Sequence, residues 1–349
     1  MRAIINHTPF KARTGIFANP DRSKSLTAVV KATFSIPDDD GALCGLAPEQ
    51  IEPQPLASYT GERWRSSILR PADIVPYKPG TDVVLIGHAY APRGQRVTEL
   101  AASVKVGSLH KSIIVVGDRT WRRTDTGLVM SDPEPFDRMP LVYERAFGGC
   151  PPSQSAEDRP DCDERNPLGT GYCVVESDAH GMRLPNLESP DARITSWRTV
   201  PPVAGFGALD DHWASRRRFA GTYDATWRAS QRPFLPRDFD SRFHSVASPG
   251  LWTPGTLCGE LPVELVHVST TPVMRFQLPD VRVQMSFRLG GDLHERRAEL
   301  WTIVLEPDER RVSMVWGARC RLEHRRSPLD GIEIRTDTLT TVQELYHAS

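Results

Sequence analysis

Leu26-Thr27-Ala28-Val29-Val30-Lys31-Ala32-Thr33-Phe34-Ser35-Ile36 decides the fold class of this 349-residue chain. The even positions are apolar without a break, and the odd positions include Thr27, Lys31, Thr33 and Ser35. Successive side chains of an extended strand point to opposite faces, so a period of two predicts a strand with one buried face.

The same character recurs on either side. Val83–Ile86 is a continuous apolar run within Asp82–Tyr90 and suits a more buried strand. Val104–Val106 and Ile113–Val116 flank Gly107-Ser108 and predict a hairpin, with Gly117-Asp118-Arg119 as the next turn. Val263–Val268 is a further strand candidate. Val281, Val283, Met285, Phe287 and Leu289 alternate with polar residues. Leu300–Leu305 and Arg311–Trp316 flank the loop Glu306-Pro307-Asp308-Glu309-Arg310. No 3.6-residue pattern separates successive strands, which disfavours a parallel α/β fold. The expected class is mainly β: mostly antiparallel sheets in one or two sandwich-like units, a long irregular central segment and a few short helices.

Those helices are expected in and after the central segment. Asp210 or Asp211 caps a turn carrying Trp213 and Arg217. Thr222 caps Tyr223–Ala229, placing Tyr223 and Trp227 on one face, and Pro233 stops it soon after. Thr338–His347 reads as a last helix. The corresponding division is an N-terminal β region at 1–142, an irregular segment at 143–260 packed on it, and a C-terminal β region at 261–349, with one continuous domain as the alternative. Pro151–Arg165, polar and Pro-containing, is the nearest thing to a linker.

Net charge is −1, so there is no electrostatic case for nucleic-acid binding. No run approaches the length of a membrane span, and the N-terminal MRAIINHTPF lacks an apolar signal core, so a cytoplasmic protein is expected. Lys occurs at only six positions, and nearly all cationic character is Arg. Arg suits interfaces through bidentate pairing and stacking, although Arg-favouring codon usage explains the same bias. Cys150, Cys162 and Cys173 lie about ten residues apart without the paired spacing of a zinc site. Free thiols, no metal and no cofactor are expected.

The chemistry-bearing residues concentrate in Tyr143–Glu260. Here lie YERAFGG (Tyr143–Gly149), NPLGTG (Asn166–Gly171), LPNLE (Leu184–Glu188) and HWASRRRFAGTYDATWRASQRPFLPRDFD (His212–Asp240). A long irregular segment needs specific partners for its backbone groups and is often functional. No nucleophile elbow, zincin motif or phosphate loop is present: His294-Glu295 lacks its second His, and NPLGTG lacks a following Lys. Cys150 after Gly148-Gly149 reads as incidental to a glycine turn. Asp224, Asp238 and Glu260 are the acids a hydrolase would use, with Asp240 also near aromatics, but Pro233, Pro236, Phe234 and Phe239 favour a structural reading of RPFLPRDFDSRF over a catalytic one. Arg145, Arg217, Glu188 and Glu260 suit ion pairs that hold loops together. Arg145, Phe147, Gly148, Gly149, Asn166, Gly169, Gly171, Glu188, Gly221, Asp224, Asp238 and Glu260 are therefore read as the structural motif. Trp213, Arg217, Tyr223, Trp227 and Phe239 are nominated as partner-binding anchors, against the alternative that the aromatics close a secondary core. The C-terminal Arg319, Arg321, Arg325 and Arg326 alternate with Glu323 and His324 as a solvated face.

With those motifs join VVKATF (Val29–Phe34), DIVPYKPGTDVVLIGHA (Asp73–Ala89), VGDRTW (Val116–Trp121), GFGALDDHWASRR, FAGTYDATW, RPFLPRDFD, CGELPVEL and QLP (Gln277–Pro279). In this order the chain resembles domain-of-unknown-function family 2169, whose members accompany bacterial type VI secretion spike and effector proteins. The resemblance spans nearly the whole chain up to about Arg319. It implies a cytoplasmic adaptor or chaperone that binds a type VI secretion effector and helps load it onto the VgrG or PAAR spike without catalysis. A carboxylate-based hydrolase and a structural component of the spike are the alternatives. The family pattern transfers no binding residues.

Overall fold

The Leu26–Ile36 alternation falls in a 12-residue strand, Lys24–Ser35, inside the largest sheet. The structure, a computed structural model, describes residues 4–151, 161–322 and 329–337. Its principal strands are β1 (Ile4–Asn6), β2 (Lys11–Ala18), β3 (Lys24–Ser35), β4 (Gly80–Leu85), β5 (Glu99–Val106), β6 (Leu109–Val116), β7 (Trp252–Pro254), β8 (Leu261–Val266), β9 (Val273–Leu278), β10 (Val283–Leu289), β11 (Asp292–Arg297), β12 (Glu299–Glu306), β13 (Arg311–Leu322) and β14 (Leu329–Thr336). Its short helices are α1 (Glu176–Ala179), α2 (Ala214–Arg217) and α3 (Ala225–Ser230). The protein is mainly β, and most of its strand pairs are antiparallel.

The largest sheet has the order β7-β4-β12-β13-β3-β2, with Gly45–Leu46 pairing on β3. Strands from before residue 142 and after residue 261 thus share one sheet, with β7 of the central segment at its edge. β4 and β12 run parallel; β13 pairs antiparallel with both β12 and β3. A second sheet has the order Leu187–Glu188, β6, β5, β8, β9, and a third the order β1-β14-β10-β11. The predicted hairpins stand: β5–β6 turns at Gly107-Ser108, and β12–β13 turns through a short 3-10 helix that ends on left-handed Arg310.

The main core gathers Leu26, Val30 and Phe34 of β3 with Val104, Ile113, Leu265, Phe276 and Phe287 from the other sheets. The expectation of one buried face on β3 is corrected, because every residue from Ser25 to Phe34 is buried. Val29 packs with Trp301 and Val315 in a separate cluster flanked by Val75 and Tyr77. The polar odd positions find partners in the chain between residues 47 and 78. Lys31 Nζ donates to Asp73 Oδ2 at 2.8 Å, Thr27 Oγ1 to the Pro76 carbonyl, and the Gln50 amide group satisfies both backbone groups of Thr33. Buried polar groups cost stability unless hydrogen-bonded, and these are. A second buried pair, Lys78 to Asp82 at 2.6 Å, extends to Thr302 and to the backbone N–H groups of Val246 and Ala247. It ties the irregular segment to the sheet.

Two helix starts differ from expectation. The cap of α2 is Trp213, whose side chain makes no capping bond, and Asp210 instead accepts from the Asp211 N–H. The cap of α3 is Asp224 rather than Thr222. A carboxylate two positions along reaches the Trp227 N–H at 2.7 Å, while the Thr222 hydroxyl is held by Asp238. The expected helix at Thr338–His347 lies outside the described residues, as do Arg325 and Arg326. Arg319 lies over the Tyr77 ring and Arg321 pairs with Asp21. Among the described residues no helix is long and apolar enough to cross a membrane.

Candidate partner-binding site

The motifs of the central segment divide into a knot and a lobe. In the knot, Asn166 is fully buried and its Nδ2 donates to the carbonyls of Tyr143 and Phe147. Gly148 and Gly149 both have positive φ, and a Cβ on either would lie 2.2 Å from a backbone oxygen, of Asn166 and Gly169 respectively. Only glycine permits both the conformation and the approach. This lets Phe147–Gly148 pair in parallel with Thr170–Gly171. Phe147 itself packs with Trp121, Leu184 and Ile194. Arg145 donates to Asp118 and Asn186. Glu188 is buried on the edge strand of the second sheet between Arg119 and Arg193, and Arg193 also engages Glu99 at 2.6 Å. The Arg193 contact holds the Glu99 carboxyl below its usual range. The knot positions read as structural therefore have structural partners, apart from Glu260, which is exposed and belongs to neither feature.

Two cysteine expectations change. Cys150 and Cys162 form a disulfide, so they are not free thiols, while Cys173 is free. Among the described residues the grouping with metal-ligand spacing is Asp210-Asp211-His212, whose ligand atoms lie within 4.8 Å of one another. His212 Nδ1 is 3.2 Å from Asp210 there.

The lobe runs from α2 to Phe243. Arg216 fastens its base: Nε and Nη2 donate to the Phe243 carbonyl and Nη1 to the Leu209 carbonyl, with the guanidinium over the Phe243 ring. Its tip is closed by Asp238, which accepts from the N–H and hydroxyl of Thr222, bonds that hold its carboxyl below the usual range. Gly221 makes this clasp possible. It has φ +77, and a Cβ there would meet Pro236, Asp238 and Phe239 at 2.8–3.0 Å. Buried Gln231 pins the far side through Nε2 to the carbonyls of Pro20 and Leu235, and Arg22 reaches the Ser230 carbonyl. The lobe is thus bound to the β2–β3 turn.

Among the nominated anchors, Trp213 is corrected. It is 1 % exposed and packs edge-on against Tyr143 at 5.0 Å, so it is a core residue. Arg217 is exposed but paired with Glu164 at 2.7 Å. Phe239 is partly buried against Phe243 and His244. Tyr223, 49 % exposed, and partly buried Trp227 stack edge-on at 4.6 Å, and the Trp227 indole donates to the Phe234 carbonyl. Trp227, Asp224 and Asp238 border a groove of about 440 Å³ that also takes in Arg237.

Sequence reasoning passed over the arginines. Between residues 214 and 243 there are seven Arg against three Asp. Arg218, Arg228, Arg232 and Arg237 are exposed, and among the described residues they make no ion pair. The guanidinium groups of Arg218 and Arg242 both lie over the Phe219 ring, at 4.6 and 4.4 Å. The local Arg density was visible in the chain; which of them lacked acids depended on the folding of the lobe. The arrangement is aromatic and positively charged, suited to an acidic protein surface.

The family described as "Uncharacterized protein conserved in bacteria (DUF2169)" matches residues 21–317. Comparison with curated proteins and with solved structures returned no match. A match over that span includes β3, the knot, the lobe and the central strands of the largest sheet, and the chain belongs to the DUF2169 family.

Proposed function

We propose that this protein is a cytoplasmic adaptor or chaperone that binds a type VI secretion effector and helps load it onto the VgrG or PAAR spike, by recognition without catalysis. The observation that carries the reading is the lobe, with exposed Tyr223 beside Trp227 and four arginines that no acid among the described residues neutralises. Interfaces draw their energy from a few aromatic and Arg anchors, and complementary charge speeds encounter and selects partners. Asp224 and Asp238, which a hydrolase would need, instead accept bonds from the α3 N-terminus and from Thr222. The sequence motifs shared with the family supply the secretion context, and the lobe supplies the contact.

Co-expression with whatever effector or spike genes neighbour this one, followed by pull-down, tests the proposal. An effector should co-purify, and its abundance in the producing cell should fall when this gene is deleted. If neither effector nor spike co-purifies and deletion leaves delivery unchanged, the adaptor reading is wrong. Recovery of the chain itself in secreted material would favour a structural part of the spike.

A further inference from the structure

A second concave feature lies at the base of the lobe, where β6 meets the irregular segment and Ser215 of α2. It is a cleft of about 490 Å³ whose walls are largely apolar, formed by Ile113, Val203, Ala204 and Leu209, with exposed Val200 at its mouth. That volume is in the range of small-molecule sites, as is the mixture of apolar wall with few polar groups. Two cations line it, Lys111 and Arg165. Lys111 Nζ donates to Ser248 Oγ at 2.9 Å, and Ser248 in turn donates to the Gly205 carbonyl at 2.9 Å. The serine hydrogen is thereby committed, and the ammonium retains N–H donors beyond the one it uses. Among the described residues no acid pairs with Lys111. The other cation of the cleft, Arg165, is already engaged by Asp163 at 2.6 Å.

This contrasts with the two fully buried lysines. Lys31 and Lys78 each have an aspartate within 2.8 Å. A partly desolvated ammonium without a counter-ion is costly to keep, and Ser248 offers it a single neutral hydrogen bond. We propose that the cleft over Lys111 binds a small organic carboxylate with an apolar body, the carboxylate on Lys111 Nζ and the body against Ile113, Val203 and Leu209. Burial holds the Lys111 ammonium down at about 8, so it is still mostly charged at neutral pH and gains a charge-assisted bond from such a ligand. The site is independent of the adaptor reading.

Octanoate is the probe, with octanol as its uncharged counterpart, titrated calorimetrically into the full chain. Saturable octanoate binding at least about tenfold tighter than octanol is expected. Lys111→Met should abolish that preference while leaving octanol binding in place. Equal affinities for the two probes, or an unchanged preference in a folded Lys111→Met protein, would overturn the proposal. Acylation of the wild-type protein with acetic anhydride, read by mass spectrometry, needs no variant. Octanoate should protect Lys111 several-fold and leave exposed Lys24 and Lys105 unchanged; uniform labelling with and without octanoate counts against the site.

Discussion

Lys31 Nζ lies 2.8 Å from Asp73 Oδ2, with the two side chains only 3 % and 1 % exposed. Asp73 Oδ2 also accepts from the Gln54 N–H. A charge pair joins the middle of the central sheet to the chain that covers it. Removing one member strands the other in a dry environment. Asp73→Ala should cost about 3–5 kcal/mol in urea unfolding. The double change Lys31→Met with Asp73→Leu should recover much of that loss, because it leaves no buried charge. A double variant no more stable than Asp73→Ala would show that the pair's surroundings, rather than the uncompensated charge, set the cost.

Trp213 and Tyr223 should separate folding from recognition. Trp213→Ala empties a core position against Tyr143 and should cost about 3–5 kcal/mol. Tyr223→Ala removes a half-exposed ring and should change stability by under about 1 kcal/mol. It should nevertheless weaken effector capture at least about tenfold, as should the double charge reversal Arg228→Glu with Arg237→Glu. Thermal melts and quantitative pull-downs on the same preparations give both readouts.

His244 predicts a specific pH dependence. Burial, with Arg216 and Lys78 nearby, depresses its folded pKa from 6.5 to about 3, and its Nε2 is buried without a hydrogen-bond partner among the described residues. The unfolded chain binds a proton there below about pH 6.5 and the folded chain does not until about pH 3. This group's contribution is therefore intact above about pH 6.5 and is lost as pH falls through that window, by up to about 1.4 kcal/mol per pH unit. His244→Gln should flatten the fall in unfolding free energy between those limits. A profile unchanged by the substitution would refute the assignment.

The Cys150–Cys162 disulfide closes a short loop, with a sequence separation of 12. Cross-linking such a loop stabilises by at most about 3 kcal/mol, mainly through the unfolded chain. Reducing agent should lower the melting temperature of the wild-type protein. The Cys150→Ser, Cys162→Ser double variant should start lower and show no further response. Tyr223 and Trp227 lie in the separate lobe, so effector capture by the reduced protein should be unchanged at temperatures where it stays folded.

Much of the scaffold was legible in the chain, and the reasons are local. The alternation in β3 and β10 and the Gly107-Ser108 hairpin express side-chain direction and turn chemistry, which neighbouring residues dictate. The cap of α3 was displaced by two residues because Thr222 and Asp224 are both competent caps, and Asp238, distant in sequence, claims the threonine. Residue type alone also misassigned Trp213. Tryptophan anchors interfaces and fills cores equally well, and only the position of Tyr143 decides between them. Lys111 gave no signal at all, since its cleft is made from segments some 140 residues apart, Lys111 on β6 and Ser248 on a loop.

The sequence by itself determined a mainly antiparallel β protein with a glycine- and proline-shaped central segment, because strand periodicity and turn residues act over a few neighbouring positions. Only the tertiary structure decided that both faces of β3 are covered, that Lys31 meets Asp73, that Trp213 is core while Tyr223 is surface, and which arginines pair with no acid among the described residues. Burial and charge pairing depend on which distant segments meet, and that is a property of packing rather than of local pattern.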